Sequence, residues 1–123
     1  LSGDFGGTYS LTKLVGPMVA RELFLLAEPF AAERAMQLGI VTRLVPDEAL
    51  RAETMAFAKR FADGPRVAIG YMKRNLLAAE TESMERVIEI EALHQTLRTS
   101  QTEDHREAVR AFAEKRPPQF KGR

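Results

Sequence analysis

Residues 31–41 read AAERAMQLGIV and predict a short helix that leads into an extended segment. The run from Ala31 to Leu38 is typical of a helix, and Gly39 suits the position after a helix end, where the backbone commonly turns left-handed. The β-branched run from Val41 to Val45 then predicts one short strand, which Pro46 ends.

Apolar residues at helical spacing predict helices on both sides of this stretch. Toward the amino terminus they predict a helix from Tyr9 to about Val15, and a second helix that Pro17 opens and Leu26 ends. Toward the carboxyl terminus they predict four more, over about 47–62, 66–79, 84–97 and 103–115. The predicted caps are Asp47, Thr81 and either Ser100 or Thr102. The chain is therefore expected to be mainly α-helical, and the wide apolar stripes of its last four helices predict burial against further protein.

The composition excludes several kinds of site. The chain has 123 residues, enough for one domain, and it has no cysteine, so disulfides, thiolate catalysis and cysteine-ligated zinc are excluded. The only histidines, His94 and His105, stand too far apart to suggest a metal site. A net charge of +1 gives no reason to expect a nucleic-acid partner.

The first residues, LSGD, lack the basic region of a signal peptide, and no apolar run approaches the roughly 20 residues that span a bilayer. A cytoplasmic protein without a membrane partner is therefore expected. The chain has no initiator Met and opens within a glycine-rich loop, which predicts that Leu1 is an internal position of a longer protein.

The glycine-rich loop from Gly3 to Thr8 contains the first candidate functional residue. Glycines favour positive φ angles or close backbone approach, and before a helix they let N–H groups face an anionic ligand. Asp4 is the only carboxylate in the loop, and its place beside the apolar Phe5 suits a general acid or base. Alternatively, Asp4 caps or braces the following helix, which is the commoner role of Asp in a turn.

The tail from Lys115 to Arg123 is the second candidate, since it contains four basic residues and no acidic one. Such a tail could contact the phosphates of a nucleotide-bearing ligand, with Phe112 or Phe120 supplying an apolar or stacking surface. Alternatively, the cations only complement the dipole at the end of the last helix, which is common.

Three stretches, taken in order, resemble the crotonase (enoyl-coenzyme-A hydratase/isomerase) superfamily. The first is the Gly3–Thr8 loop, followed by Leu14-Val15-Gly16 and Glu22-Leu23. The second is residues 31–41 with Val45-Pro46, and the third is Glu107, Ala111-Phe112, residues 114–118 and Phe120. Each motif is moderately specific, but they occur jointly and in the expected order across essentially the whole chain.

This resemblance implies a mainly α-helical part of the α/β crotonase fold, without the amino-terminal spiral of ββα units. Residues 1–46 would be the end of the crotonase core, and residues 47–123 a helical oligomerisation region. A homotrimer, or a hexamer made of two trimers, is implied. The oxyanion-hole N–H groups and both glutamates of typical hydratases would lie outside this chain.

The resemblance also implies an enzyme that acts on acyl-coenzyme-A (acyl-CoA) thioesters through an enolate-like intermediate, with no metal or prosthetic group and CoA as part of the substrate. Asp4 matches a position where dienoyl-CoA isomerases and a dehalogenase place a catalytic aspartate, whereas typical hydratases have a small residue there. Isomerisation and hydration therefore both stay open. Phe112 and Lys115 match positions that contact the adenosine phosphate region of the coenzyme. The fragment alone is expected to be inactive, and the alternative is a non-catalytic helical assembly module derived from the family.

Overall fold

The computed structural model describes residues 3–123, whose backbone is helical with irregular connections. Seven α-helices and one π-helical turn follow in order: α1 (Gly7–Val15), α2 (Pro17–Leu26), α3 (Ala32–Gln37), α4 (Asp47–Ala62), α5 (Arg66–Ala79), α6 (Met84–His94), the π-turn (Gln95–Thr99) and α7 (Glu103–Ala113). The chain divides into two compact units, Leu1–Leu50 and Arg51–Arg123. The predicted helices are confirmed, and the bounds of α5 match those predicted from the sequence.

The predicted strand over 41–45 is wrong, since no described residue has strand pairing. The helix α3 ends as predicted, with Gly39 at a φ of 74°. The next amides fold back on α3: Ile40 and Val41 N–H both donate to the Ala35 carbonyl oxygen, at 2.9 and 3.4 Å. A β-branched run becomes a strand only when a neighbour supplies ladder hydrogen bonds, and no described segment does so here.

In the amino-terminal unit, α1 packs against α2 across a corner made by the single residue Gly16. Gly16 has a φ of 80°, which favours glycine, and its N–H donates to the Thr12 carbonyl to close α1. Pro17 then opens α2, because its missing N–H would have no partner at a first helical position. Ala20 on α2 is buried.

In the carboxy-terminal unit, α6 packs against α5 and continues into the π-turn. The ring of His94 lies 4.6 Å from that of Tyr71, and its Nδ1 donates to Oδ1 of the buried Asn75. This pairing joins the two helices, and the His94 side chain is partly covered.

The caps of α6 and α7 follow the expected chemistry with one shift in position. Ser83, not Thr81, caps α6 by accepting from Arg86 N–H at 3.3 Å, because the helix begins at Met84. Thr102, rather than Ser100, caps α7 by accepting from His105 N–H at 3.0 Å. Both hydroxyls satisfy an amide that has no partner within its helix.

Large apolar side chains remain exposed on both units, whereas the buried apolar residues among those described are the two alanines Ala20 and Ala111. The exposed set includes Met18, Leu25, Met55, Met72, Leu76, Leu77, Met84, Ile88 and Leu97. Wide apolar stripes were predicted, and uncovered stripes of this extent are typical of surfaces that contact other protein. Within residues 3–123, no helix is both long and apolar enough to cross a membrane.

Candidate functional site

Asp4 lies in the exposed loop that precedes α1. Its backbone carbonyl accepts from Gly7 N–H at 2.9 Å, so its main chain braces the start of the helix. Its carboxylate does not cap α1, since no side chain does. No hydrogen bond or ion pair joins this carboxylate to another described residue. The bracing role is therefore filled by the main chain.

The loop glycines have the roles that their type predicts. A Cβ on Gly3 would lie 2.5 Å from Cγ2 of Thr8, so a larger residue there would force the Thr8 side chain or the loop to shift. Gly6 has a φ of 82°, and Phe5 before it has a φ of 45° with a fully exposed ring. The loop is thus held tightly on the start of α1 while it presents Asp4 and Phe5 outward.

The carboxyl end of α7 is a Schellman motif. Lys115 N–H donates to the Phe112 carbonyl at 3.2 Å, and Arg116 N–H donates to the Ala111 carbonyl at 3.0 Å. Lys115 has a φ of 52°, although this position usually takes glycine. A non-glycine residue in the left-handed region costs roughly 1–2 kcal/mol, so the turn holds a lysine against its local preference.

Phe112 and Lys115 are brought together by this motif, since they stand at either end of one hydrogen-bonded turn. The Phe112 side chain is 88% exposed, and Lys115 is exposed as well. No described side chain pairs with the Lys115 ammonium. An exposed aromatic ring beside an unpaired cation can bind a ligand that carries both a base and a phosphate group.

Glu107 and Arg116 form a forked ion pair that the sequence did not reveal. Arg116 Nη1 and Nη2 donate to Glu107 Oε1 and Oε2 at 2.6 and 3.1 Å, and Glu107 Oε1 also accepts from Gln119 N–H at 2.9 Å. Hydrogen bonds from Arg116 and from the Gln119 amide lower the pKa of Glu107 from 4.5 to about 2. The bonds to Glu107 and Glu114 raise the pKa of Arg116, so the pairing favours the charged form of both side chains.

The end of the tail returns to the start of α7. Asp104, which is 2% exposed, accepts from Lys121 N–H at 2.6 Å and from Gly122 N–H at 2.8 Å. Asp104 N–H donates to the Arg123 carbonyl at 3.0 Å, and Arg66 Nη2 donates to the Lys121 carbonyl at 2.9 Å. The mixed charges of residues 103–110 are typical of a solvated helix face, but the tail covers Asp104.

The four basic residues of the tail thus divide into two groups. Arg116 is bound by Glu107 and Glu114, and Arg123 Nε lies 3.2 Å from Glu103 Oε2. Lys115 and Lys121 have no such partner in the described part of the chain. Lys121 lines a cleft of about 280 Å³ together with the carboxylates Glu103, Asp104 and Glu107. Lys115 lies outside that lining.

A second cavity, of about 480 Å³, lies between α5, α6 and the π-turn. Tyr71, Asn75, Glu91, His94 and Thr99 are among the residues that line it. Within residues 3–123, no group of three or more His, Asp or Glu side chains could hold a metal ion.

Comparison with known proteins identifies the family of the chain. The whole chain, residues 1–123, matches the family described as Enoyl-CoA hydratase/isomerase. It is 37% identical over 123 residues to a probable enoyl-CoA hydratase of Rhodobacter capsulatus, matching 100% of this chain and 48% of the relative. It is 34% identical over 120 residues to the 1,2-epoxyphenylacetyl-CoA isomerase of Escherichia coli, matching 98% of this chain and 45% of that protein.

Solved structures give the same result. A crystal structure of an enoyl-CoA hydratase subunit from Geobacillus kaustophilus superposes with a TM-score of 0.93 at 36% identity, over 100% of this chain and 48% of that one. The chain spans about half the length of the curated relatives it matches, and it is a mainly helical part of the crotonase fold. This chain belongs to the enoyl-CoA hydratase/isomerase family.

Proposed function

We propose that this chain is part of an enzyme that hydrates or isomerises an enoyl-CoA thioester through an enolate-like intermediate. One observation supports the proposal most directly. The end of α7 presents an exposed aromatic ring and an unpaired ammonium within one turn, at a position where the backbone of Lys115 is strained. Strain that the surroundings maintain is common at functional sites.

In this proposal, Phe112 and Lys115 bind the adenosine phosphate region of CoA. The ammonium of Lys115 pairs with a phosphate group, and the Phe112 ring gives an apolar contact beside it. CoA enters as part of the substrate, so the proposal needs no prosthetic group. The relatives support this substrate class, since their names describe proteins that act on CoA thioesters.

Asp4 is proposed as a proton-transferring carboxylate. It lies in a glycine-rich loop, and its carboxylate is exposed and without a partner among the described residues. In an isomerase it would move a proton between carbon atoms of the enolate-like intermediate, and in a hydratase it would assist the addition of water. A positioned general acid or base of this kind contributes typically about 10²–10⁴-fold to the rate.

The residues that surround these sites are proposed to serve assembly. Residues 1–46 would complete the crotonase core, and residues 47–123 would form the contacts of a homotrimer or of a hexamer made of two trimers. The exposed apolar side chains of α5 and α6, Met72, Leu76, Met84 and Ile88 among them, support this role. They also favour the second candidate, an assembly module that has the fold of the family without its chemistry.

One experiment separates the two candidates. The protein as encoded is assayed with a small panel of 2-enoyl and 3-enoyl thioesters, and water addition and double-bond migration are followed in parallel. Turnover in either assay supports the enzyme, whereas no turnover with intact assembly supports the module. For the enzyme, Asp4→Asn should lower kcat by about 10²-fold or more without changing the assembly, because it removes only the proton-transferring group. Unchanged kinetics would remove Asp4 from the mechanism.

A further inference from the structure

One carboxylate binds the segment that directly follows the strained turn at the end of α7. Lys115 is the left-handed residue of the turn, and Arg116 directly follows it. Pro117 and Pro118 have no N–H, so the first backbone donor after Arg116 is that of Gln119. Oε1 of Glu107 accepts both from Arg116 Nη1 and from this Gln119 amide. Glu107 therefore binds the chain at both ends of the two-proline segment.

We propose that Glu107 is a positioning residue for CoA binding: it binds Arg116 and the Gln119 amide, and thereby holds the left-handed turn that presents Lys115 to the phosphate groups. This proposal rests on the proposed contact between Lys115 and CoA.

The local energetics explain why the turn needs such a support. The left-handed backbone at Lys115 costs roughly 1–2 kcal/mol, and the two hydrogen bonds of the Schellman motif each offset only about 1 kcal/mol. A motif so evenly balanced would exchange with other backbone conformations, and each of these moves the base of the Lys115 side chain. The Glu107–Arg116 fork is a bidentate ion pair, with N–O distances of 2.6 and 3.1 Å. Such charge-assisted bidentate pairs are stronger than neutral hydrogen bonds and fix the geometry of both partners.

The burial of the pair is consistent with this role. The side chain of Glu107 is 18% exposed and that of Arg116 36%, so the fork is less screened by solvent than the more exposed ion pairs Lys59–Asp63, Arg86–Glu89 and Arg123–Glu103. Arg116 is also bound by Glu114 at 2.6 Å, which fixes the remaining edge of the guanidinium. The guanidinium is thus committed to the protein, and the neighbouring Lys115 is the cation left for a ligand.

Glu103 offers a matched control. It lies on the same helix and also pairs with an arginine of the tail, Arg123, at 3.2 Å. That contact is exposed and lies at the start of α7, away from the Lys115 turn. Glu103→Gln therefore makes the same chemical change as Glu107→Gln on the same helix without touching the motif.

The test is a double-mutant cycle on the protein as encoded, with the dissociation constant of CoA measured by calorimetry at low salt. We expect Lys115→Ala to weaken binding about tenfold, as for one charge-assisted contact, and Glu107→Gln to weaken it about threefold to tenfold. In the Lys115→Ala background, Glu107→Gln should cause no further loss, because it acts through Lys115. Glu103→Gln should leave binding unchanged. With thioester substrate, Glu107→Gln should raise KM while kcat changes little.

The remaining outcomes overturn the proposal in distinguishable ways. If Glu107→Gln weakens CoA binding equally in the native protein and in the Lys115→Ala variant, its effect is a general structural one. If it weakens CoA binding in neither, Glu107 has no role in CoA binding. A tenfold loss in Lys115→Ala with none in Glu107→Gln would overturn only the role of Glu107. Wild-type affinity in Lys115→Ala would overturn the Lys115 contact itself, and the role of Glu107 with it. If Glu107→Gln does not fold, Arg116→Lys serves instead, since it keeps the charge but loses the fork.

Discussion

The left-handed lysine at the end of α7 gives a prediction that separates stability from binding. Replacing Lys115 by glycine removes the Cβ that clashes at a φ of 52°, which relieves roughly 1–2 kcal/mol. Glycine loses more conformational entropy on folding than alanine does, by about 0.5–1 kcal/mol. Lys115→Gly should therefore be more stable than Lys115→Ala by about 0.5–1 kcal/mol, since both variants lose the same cation.

Comparison with the native protein gives the order of stability of all three proteins. A cation after a helix end stabilises it by about 0.3–1 kcal/mol, so Lys115→Ala should be less stable than the native protein by that amount. In Lys115→Gly the relief of strain and the loss of the cation nearly cancel. The measurement is the free energy of unfolding from urea denaturation at a fixed protein concentration, which matters if the protein assembles. Both variants should bind CoA about tenfold more weakly than the native protein.

Lys73 provides the control, because it is exposed on α5 and lies within a regular helix. There the order should reverse, with glycine about 1 kcal/mol less stable than alanine. An alanine variant at position 115 as stable as the glycine variant would refute the left-handed turn. A glycine variant that binds CoA as tightly as the native protein would refute the contact while leaving the turn intact.

Two further predictions concern the tail. Gly122 has a φ of 77°, and a Cβ there would collide with the Arg66 guanidinium, so Gly122→Ala should lower the free energy of unfolding by at least about 1 kcal/mol. Gly70 has open space around it, so the control variant Gly70→Ala should not destabilise α5. Equal stability of the Gly122 variant and the native protein would contradict the packing of the tail on Arg66. The pKa of Glu107 is lowered to about 2 in the folded protein, so its contribution to stability is complete above its ordinary pKa of 4.5 and is lost as the pH falls toward 2. Denaturation midpoints measured between pH 6 and 2 should therefore fall less steeply in Glu107→Gln than in Glu103→Gln, and parallel curves would contradict the ion pair.

Local chemistry allowed most of the helices to be predicted from the sequence. Pro17 and Gly39 mark helix ends through properties of one residue, a missing N–H and a tolerated positive φ, and the structure confirms both. The prediction of a strand over 41–45 was wrong because a strand needs a partner strand elsewhere in the chain, and residue types alone do not show whether such a partner exists. The predicted cap of α6, Thr81, differs from the observed one, Ser83, because either hydroxyl can cap a helix and the choice depends on where the packed helix begins.

The candidate site shows a similar division between local and distant information. Asp4 stood out because it is the one carboxylate among loop glycines, whereas Phe112 and Lys115 were singled out mainly by resemblance to a family. Asp104 was missed because its partners, the amides of residues 121 and 122, lie 17 and 18 positions away. The left-handed backbone of Lys115 could not be predicted, since lysine disfavours that conformation and only the surrounding contacts impose it.

The ion pairs change what the basic tail can do. Four cations in nine residues suggest one extended phosphate-binding patch, but Arg116 and Arg123 are bound by carboxylates of the protein. Lys121 shares its cleft with Glu103, Asp104 and Glu107 and also with Arg106 and Arg110, so charges of both signs surround it. Lys115 alone of the four combines an exposed, unpaired ammonium with a neighbouring exposed ring, among the residues described. The acidic residues of α7 therefore bind two of the four cations of the tail, and the proposed contact with a phosphate group falls to Lys115 because an exposed ring lies on the same turn.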